Sequence, residues 1–426
     1  MAIVSVETTI RVPSRTVYRA FTNSTSLREW LCDVATVEPH VNGRLYLWWR
    51  GDFYSSGHYL ELDGIRKIKF RWYANIDPAP TEVTVSVMEK DGATLLLLEH
   101  VVPDDLSWAK SAKSFRENWV ESLENLKSVL ETGIDLRIAN RPMLGIAPGD
   151  FTEEQATALG VPVREGLRLD GLVSGMGAER AGLQKDDVLV EMNGHPIKND
   201  ASSLPNAIAG KKGGDHIEVV FYRGVEKKQV TMELSKRPMP DVPFNPSELE
   251  KQARQLYEPG LSEVEKCFEG VKDDDALKRP EPQEWSALEI IAHLIHGERF
   301  NQIFLAGLID GYEPVADGFG TNVHAQAQAT VKANPSVALM LSALRRSVEE
   351  TLTMTSLIPD DFAKNNKGSY YRFGFGLLQP NELRIDAAEG EKIKTAVVRA
   401  AASVRVGLSR TPKTPTRDLG IKDSFG

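Results

Sequence analysis

The side chains of this chain that could do chemistry are histidines and carboxylates at helical spacing in its last third. In the stretch EWSALEIIAHLIHGERFNQIF, His293 and His296 lie three positions apart, so a helix would present both on one side. Asp386 and Glu389 have the same spacing in NELRIDAAEGEK. Imidazole and carboxylate groups together bind divalent metals such as zinc, nickel or manganese. A metal site is therefore one hypothesis, with His324 as a further ligand candidate.

Three interpretations of these side chains remain open. The sequence favours a helical bundle without a cofactor, in which His293 is a hydrogen-bonded core residue. A second interpretation is a metal site that combines His293 with Asp386 and Glu389. A third is a site formed by His293, His296 and His324, three imidazoles of the kind that hold zinc at an open position.

The elements that must position these residues are helices. Residues 247–402 contain four segments whose apolar side chains recur at helical spacing, which predicts an all-α four-helix bundle. Ser247 followed by Glu250 predicts a capping box at the first helix. The preceding residues 238–246, PMPDVPFNP, include four prolines. Because proline cannot donate a backbone hydrogen bond, this segment is predicted to be a linker or rigid spacer.

The bundle has motifs of a known family. EWSALEIIAHLIHGERFNQIF, where a Trp-Ser pair precedes a helix with an early histidine, resembles the DinB/YfiT-like family, and GLLQPNELRIDAAEGEKIKTAVVRAA resembles its closing helix. The resemblance implies a metal held by one histidine on the second helix and an H-x-x-x-H pair on the fourth, for thiol transfer or hydrolysis. His293 falls on the first position. No histidine follows His324, so the pair is missing and that activity is in doubt.

Residues 137–237 point to main-chain rather than side-chain chemistry. Asp186 and Asp187 form a turn that leads into VLVEMNG, a buried strand ending in an Asn-Gly hairpin. SSLPNAIAG predicts a short helix, and HIEVVFYRG with KKQVTMEL predicts a final strand pair. With MLGI near its start, this mainly-β segment resembles a PDZ domain of the bacterial HtrA-protease kind.

The PDZ resemblance implies a site for protein C-termini or extended peptides. In such domains the loop at MLGI presents successive N–H groups to a terminal carboxylate, and the peptide then adds as a strand. By this motif the carboxylate-binding amides are those of Leu144, Gly145 and Ile146. Gly145 has no side chain to block the anion, and Arg141 just upstream assists electrostatically.

The opposite wall of the predicted groove is the short helix. Leu204 and Ile208 are expected at the pocket for the last peptide side chain, and the alternative is a groove that the chain itself closes or fills. An HtrA-type protease would carry a Ser-His-Asp domain before this module. The preceding segment has no G-x-S-x-G elbow and no such triad, so proteolysis is not expected.

Residues 1–133 predict an α+β helix-grip fold, a curved antiparallel sheet around a long helix. Aromatic strands are separated by Asp63-Gly64 and Asp91-Gly92, pairs that suit tight hairpins. A long amphipathic helix follows and stops at Gly133. VPSRTVYRAFTNSTSLREWL, SSGHYLELDGIRKIKFRW and FRENWVESLENLKSVLE resemble the START-like (SRPBCC) superfamily, in its branch named after the activator of the heat-shock-protein-90 ATPase.

The START-like resemblance implies a cavity between helix and sheet that holds an apolar small molecule. Aromatic side chains would line it, namely Trp48, Phe53, Tyr59, Phe70, Trp72, Phe115 and Trp119. The alternative is that these residues are simply core. His40, His58 and His100 are scattered, and each is expected at the surface or hydrogen-bonded within the core, so the region shows no catalytic set.

Composition limits the partners of the chain. Its formal net charge is −9, which argues against nucleic acid as a main partner. Two cysteines, Cys32 and Cys267, are too few for a disulfide framework, and no apolar run is long enough to span a bilayer. The expected location is therefore the cytoplasm. The tail from Ser403 has five basic and two acidic residues and is predicted to be disordered.

Together these patterns predict a multidomain chain with domains at 1–133, 137–237 and 247–402, a linker at 238–246 and a tail at 403–426. The expected function is a non-catalytic cytoplasmic adaptor or ligand-responsive binding protein that captures peptides and holds an apolar ligand. One alternative is a metal-dependent DinB-like transferase or hydrolase. Another is a cofactor of a chaperone ATPase.

Overall fold

The computed structural model describes residues 1–103, 108–200, 202–282, 284–313 and 323–378. The chain divides into two compact units. One unit combines an N-terminal region, Met1–Gly133, with a C-terminal region that begins at Pro240, and the other is a central region, Ile134–Met239. Two regions that are far apart in sequence therefore share one unit.

A seven-stranded antiparallel sheet packed against helices forms the described part of the N-terminal region. Its elements are β1 (Ala2–Ile10), α1 (Ser14–Thr22), α2 (Ser24–Trp30), β2 (Val34–Val37), β3 (Arg44–Trp49), β4 (Phe53–Leu62), β5 (Lys67–Ala74), β6 (Thr81–Lys90), β7 (Ala93–Val102) and α3 (Ala109–Thr132). The strand order is β1-β7-β6-β5-β4-β3-β2. Strand β1 pairs with β7 along its whole length, from Ala2↔Val102 to Ile10↔Thr94.

The two predicted Asp-Gly turns have different geometries. Asp91 and Gly92 have φ angles of 52° and 73° and form the two-residue turn between β6 and β7, so this tight hairpin is confirmed. The turn predicted at Asp63-Gly64 also separates two paired strands, but four residues, 63–66, connect β4 to β5 instead of two. There the Asp63 carboxylate accepts three successive backbone N–H groups at 2.7 to 3.2 Å, which closes a wider loop between β4 and β5.

Helix α3 packs against the sheet and completes the predicted helix-grip fold. Trp119, Leu123 and Leu126 recur on one face of this helix, and each is buried in the core of the region. Asn125 Nδ2 donates to Trp30 O at 2.7 Å, which connects α3 to the end of α2. The helix ends at Gly133, a left-handed cap with a φ of 78°.

The central region is a small sheet surrounded by short helices. Its elements are α4 (Leu136–Ala139), β8 (Ile146–Gly149), α5 (Glu153–Ala158), β9 (Leu167–Leu172), α6 (Gly177–Arg180), β10 (Val188–Met192), β11 (His195–Pro196), α7 (Ser203–Ala207), β12 (His216–Arg223) and β13 (Glu226–Glu233). The strand order is β13-β12-β10-β9-β8, with β11 paired to β10 through the predicted Asn193-Gly194 turn. Strand β8 therefore lies at one edge of the sheet.

The described part of the C-terminal region is helical. Its elements are α8 (Pro246–Cys267), α9 (Asp273–Ala276), α10 (Ala287–Asp310), α11 (Val323–Ala333), α12 (Val337–Ser356), α13 (Asp360–Asn365) and α14 (Lys367–Leu378). Helix α10 packs against α11 and α12, and α12 packs against α8, as helices of a bundle do. The fourth helix predicted from the sequence and the tail from Ser403 lie outside the described residues.

The helix caps of this region differ from the prediction. The capping box predicted at Ser247 is wrong, because α8 is capped by Asn245, whose side chain accepts from Glu248 N at 2.9 Å. A capping box instead begins α10, where Ser286 and Glu289 bond each other's backbone N–H groups. An Asn cap followed by proline is as favourable a start as the box.

Helix α14 contacts the N-terminal region through paired polar side chains. Ser369 donates a hydrogen bond to Glu29, and Arg19 donates one to Asn366. Glu29 is half-buried, and desolvation by its surroundings raises the pKa of its carboxyl, although nearby Arg372 and Ser369 oppose the rise. These contacts bring together residues more than 300 positions apart.

A second carboxylate bridges the same two regions. Glu313 Oε2 lies 2.8 Å from Arg28 Nη1 and 3.1 Å from Arg372 Nη1. The Glu313 side chain is only 11% exposed, so its charge depends on these two guanidinium groups. We refer to the whole set of polar residues as the junction: Arg19, Arg28, Glu29, Glu313, Asn366, Ser369 and Arg372.

The backbone of α14 comes close to its neighbours because glycine is present at Gly368. A Cβ there would lie 2.6 Å from Glu29 Oε2 and 2.8 Å from Val129 Cγ1. Both distances are shorter than real carbon contacts, so the packing depends on the missing side chain.

The segment predicted as a linker rests along α14. Tyr371 Oη donates to Pro240 O at 2.9 Å, and Tyr370 Oη donates to Pro243 O at 3.0 Å. The rings of Phe244 and Tyr370 stack with their centroids 5.4 Å apart. From Pro240 onward this segment therefore packs against α14 within its own unit.

Candidate functional site

The loop that precedes β8 directs its carbonyl groups into the central region. Leu144 O accepts a hydrogen bond from Ala178 N at 3.1 Å, and Gly145 O accepts one from Val173 N at 2.9 Å. A trans peptide unit is planar, with its N–H and C=O pointing in opposite directions. The N–H of Gly145 therefore points away from Ala178, and the N–H of Ile146 points away from Val173.

This loop contains backbone amides that have no acceptor within the described residues. Among the residues that the structure describes, no acceptor pairs with the backbone nitrogen of Leu144 or Gly145. Backbone N–H groups without a partner favour the approach of an anion, which supplies the missing acceptor. We refer to the three successive N–H groups of Leu144, Gly145 and Ile146 as the amide notch.

Gly145 is required for the shape of the notch. Its φ of +75° lies in the left-handed region, which side chains disfavour. In addition, a Cβ at this position would lie 2.2 Å from Met176 Cβ. Glycine is thus the residue that this backbone conformation and this contact both demand.

Half-buried apolar side chains of β8 and α7 pack against one core. Ile146 in β8 and Leu204 and Ile208 at α7 are half-buried, and all three pack against the same hydrophobic core. Arg141 is exposed in the turn after α4. In the central region an edge strand, loop amides without an internal acceptor and half-buried apolar side chains thus share one hydrophobic core.

The aromatic residues predicted to line a cavity lie mostly in the interior of the N-terminal region. Tyr59, Phe70, Trp72, Phe115 and Trp119 are buried there. Phe53 is half-buried and packs against the same core. The neighbouring side chains are close, with the rings of Trp72 and Trp119 5.5 Å apart.

Trp48 lies apart from this cluster. Side chains alternate between the two faces of a strand, and the core face of β3 belongs to Leu45, Leu47 and Trp49. Trp48 is half-buried on the other face. The core aromatic at this point is therefore Trp49, whose ring lies 6.0 Å from that of Trp72.

His100 is a hydrogen-bonded core histidine, one of the two forms that the sequence predicts. Trp119 Nε1, which can only donate, bonds to His100 Nδ1 at 3.1 Å, so this nitrogen is the unprotonated one. His100 Nε2 then donates to Thr81 Oγ1 at 2.8 Å, and Thr81 donates to Trp72 O at 3.1 Å. Burial lowers the pKa of His100 to about 3, which keeps this chain of bonds in its neutral form.

Two buried polar atoms lie outside that chain. Ser55 Oγ and Trp72 Nε1 have no hydrogen-bond partner within the described residues. Ser55 is fully buried and Trp72 is 5% exposed. A buried polar atom without a partner costs free energy, and each of these two atoms could bond a ligand group that reached it.

The comparison with family models gives one match for each region. Residues 11–131 match the family of activator of Hsp90 ATPase homolog 1-like proteins (AHSA1), residues 142–234 match the PDZ domain, and residues 257–379 match the DinB superfamily. The chain joins an AHSA1-like, a PDZ and a DinB-like region. The resemblances inferred from the sequence are confirmed.

Curated relatives match the PDZ region. A probable periplasmic serine endoprotease DegP-like from Rhizobium meliloti (strain 1021) is 28% identical over 112 residues, which are 26% of this chain and 22% of the relative. A probable periplasmic serine protease do/HhoA-like from Haemophilus influenzae is 30% identical over 94 residues, 22% of this chain and 20% of the relative. The chain therefore spans about a fifth of the length of these relatives.

Solved structures are similar to the AHSA1-like region. The Aha1 dimer from Colwellia psychrerythraea is 16% identical, covers 31% of this chain and 97% of its own, and has a TM-score of 0.28. An HSP90 activator from Plasmodium falciparum is 22% identical, covers 30% of this chain and 96% of its own, and has a TM-score of 0.27.

The histidines of the DinB-like region do not converge. The His293 ring packs edge-on against Trp285 with 5.1 Å between ring centroids. His296 lines a surface cavity of about 450 Å³ between α10 and α11. His324 Nε2 is 3.4 Å from Arg279 Nη2 and 3.0 Å from Gln328 Nε2.

The structure describes all residues of the three-histidine hypothesis but not the carboxylates of the histidine-carboxylate hypothesis. Within the described residues, no group of three His, Cys, Asp or Glu side chains could hold a metal ion. The set of His293, His296 and His324 is thus not brought together, and His324 faces a guanidinium instead. Asp386 and Glu389 lie outside the described residues, and beyond the DinB match, which ends at residue 379.

Sequence reasoning did not find Ser55 or Trp49. Ser55 is on the same face of β4 as Phe53 and Tyr59. A small polar residue at a core-facing position of a strand could have indicated an unusual site. Trp49 and Trp48 are adjacent, so only the register of β3 decides which one faces the core.

No helix within the described residues is long and apolar enough to cross a lipid bilayer.

Proposed function

We propose that this protein is a non-catalytic adaptor whose PDZ region captures the C-terminus of another protein, or an extended peptide. The observation that supports this most directly is the amide notch beside an edge strand. The match to the PDZ family supports peptide binding in general, and the notch supplies the chemistry for a terminal carboxylate.

In this proposal the carboxylate accepts hydrogen bonds from the amides of Leu144, Gly145 and Ile146. Bonds to an ionised acceptor are about twice as strong as neutral ones. The peptide then extends along β8 as an added strand, and its last side chain packs against Ile146, Leu204 and Ile208. A free carboxylate and an apolar last residue are therefore the two features that a C-terminal partner must have.

The test compares peptides that differ only at the terminal group. Fluorescent peptides ending in valine are titrated with the full chain, as the free acid and as the C-terminal amide. We expect the acid to bind at least about tenfold more tightly, because the amide lacks the charge that the notch stabilises. Equal affinities for the two forms would rule out carboxylate capture.

A protein variant tests the apolar wall. Ile208→Glu places a charge in the wall and is expected to weaken binding of the free acid by about tenfold or more. Val225→Glu introduces the same charge at an exposed hairpin position of the same region and serves as the matched control. Loss of binding in both variants would point to a general effect of charge rather than to the groove.

A second proposed function is binding of an apolar small molecule by the AHSA1-like region. It is favoured by the unpartnered Ser55 Oγ and Trp72 Nε1 within an aromatic interior. The ligand would be apolar with one hydrogen-bond acceptor, since an indole N–H can only donate. Native mass spectrometry of the purified chain should show a bound mass that Trp72→Phe loses and Trp285→Phe retains.

Three further proposals have direct tests. A metal-dependent transferase or hydrolase predicts stoichiometric zinc, nickel or manganese, lost in His293→Ala, by elemental analysis. A chaperone cofactor, suggested by the AHSA1 family description, predicts stimulation of the heat-shock ATPase. A cytoplasmic location is tested by fractionation of cells that express the tagged chain, since the names of the PDZ relatives place those proteins in the periplasm.

A further inference from the structure

The hydrogen bonds between β8 and β9 determine which residues of β8 direct their backbone groups to the open edge. In an antiparallel sheet, successive residues of a strand direct their backbone groups to alternate sides. Gly145 O bonds to Val173 N on the β9 side, so Ala147 also faces β9. Ile146 and Pro148 then direct their backbone groups to the open edge, where a peptide would add.

The irregularity in this ladder does not change that phase. Ala147 pairs with Gly171, and Pro148 pairs with Leu169. The extra residue is therefore Asp170 on β9, and β8 itself continues without an insertion. The alternation along β8 holds from Ile146 to Pro148.

At this edge the second position lacks a donor. Ile146 offers both an N–H and a C=O, whereas Pro148 offers only its C=O because its ring replaces the N–H. Proline occurs in sheets at edge positions whose N–H side is open, since no ladder bond is lost there. Pro148 is exposed, in agreement with such a position.

We propose that Pro148 makes this groove a reader of very short C-termini. A peptide whose carboxylate occupies the amide notch runs antiparallel to β8, so its last residue is opposite Ile146. The residue two before it is then opposite Pro148, where its carbonyl finds no donor. Recognition is concentrated on the carboxylate and the last side chain, and residues farther from the terminus add little. This inference depends on the proposed peptide capture.

The test uses peptides of three lengths and one restored donor. Peptides of three, five and eight residues, all ending in Ala-Ala-Val, are titrated with the full chain as free acids and as amides. For the wild type we expect the three acids to differ by less than about threefold in affinity. Pro148→Ala supplies the missing N–H and should increase the affinity for all three acids by about two- to tenfold, the range of one backbone hydrogen bond.

Controls separate the length effect from folding and from carboxylate capture. Pro142→Ala makes the same chemical change upstream of the notch and should leave all affinities unchanged, and Pro148→Val provides a second variant with an N–H. An eight-residue acid that binds the wild type more than tenfold better than the three-residue acid, with no gain in Pro148→Ala or Pro148→Val, overturns the inference. In that case the preference for acid over amide still stands, so peptide capture itself survives. If acid and amide bind equally, both proposals fall.

Discussion

At the junction, polar side chains of two regions pair with one another. At the amide notch, the N–H groups of Leu144 and Gly145 have no acceptor within the described part of the chain. Glu29 and Glu313 face serine and arginine side chains of the same unit. Within the described residues, the amides of Leu144 and Gly145 have no such acceptor. Both places rely on a glycine for close contact, Gly368 in one and Gly145 in the other.

The difference separates polar groups that are paired inside the chain from the amides that we propose to bind a partner. A buried charge that finds its partner inside the chain stabilises one arrangement of the two regions. A backbone donor that is left without a partner stabilises whatever brings an acceptor. The following experiments test that division, in order of decreasing expected effect.

The largest effect is expected from Glu313→Gln at the junction. Removing this charge leaves Arg28 and Arg372 without their shared carboxylate, and breaking a buried pair costs about 3 kcal/mol of unfolding free energy. Glu349→Gln breaks an exposed pair, in which the side chains of Glu349 and Arg254 are 55% and 42% exposed. This change should cost less than about 1 kcal/mol of unfolding free energy. Calorimetric unfolding of the full chain measures the stability lost in each variant. Similar losses would mean that the ion pairs of the junction contribute no more than an exposed surface pair.

The next effect concerns the glycine of α14. Gly368→Ala adds a Cβ that clashes with Glu29 and Val129 and is expected to cost about 1 to 3 kcal/mol. Gly376→Ala makes the same change in the same helix, where a Cβ would lie within 4 Å of none of the described residues. It should stabilise by about 0.5 to 1 kcal/mol through helix propensity. A Gly368→Ala variant as stable as Gly376→Ala would contradict the close packing of α14.

His100 provides a pH-dependent test of a fully paired group. The unfolded chain binds a proton at this imidazole near pH 6.5, but the native protein does so only near pH 3. The unfolded state therefore binds more protons between these values, and native stability falls as pH falls through the window. At pH 5 this contribution is about 2 kcal/mol less than at pH 8.

Two histidine variants isolate that contribution. His100→Gln should remove most of this part of the pH dependence, while His40→Gln at an exposed position should keep it. The measurement is the midpoint of urea unfolding between pH 5 and pH 8. Identical pH profiles for the wild type and both variants would show that His100 does not titrate as its hydrogen bonds require.

Glu29 is expected to act in the opposite direction. Its raised pKa means that the native state binds more protons than the unfolded state above pH 4.5. Stability from this group is thus greatest below pH 4.5 and is lost as pH rises through the raised pKa. Glu29→Gln keeps a partner for Ser369 without the charge. The difference in unfolding midpoint between Glu29→Gln and the wild type should grow as pH rises, and a constant difference would contradict the raised pKa.

The sequence was sufficient for features that depend on local patterns. The Asn193-Gly194 and Asp91-Gly92 turns need positive φ angles. Because few residue types adopt such angles, the sequence predicts these turns. The MLGI loop was found for the same reason, because Gly145 serves a backbone conformation. The three regions follow from such patterns repeated along the chain.

The junction could not be predicted because its partners are distant in sequence. Nothing near Glu29 indicates Ser369. Helix α14 was also missed, since KGSYYRFGFGLL has three glycines and several aromatic residues, which are poor helix formers. Its helical form follows from packing against α2, α3 and α8, and tertiary contacts override weak propensity.

The dependence of the N-terminal region on α14 has a consequence for synthesis on the ribosome. More than 200 residues separate Gly133 from Lys367, and translation at about 5 to 20 residues per second takes on the order of ten to fifty seconds to cover them. During that interval the nascent N-terminal region has left the exit tunnel while Glu29 still lacks its serine and arginine neighbours. Every newly made molecule therefore passes through a stage in which this carboxylate is solvated, and the final docking of α14 is a late step of its biogenesis.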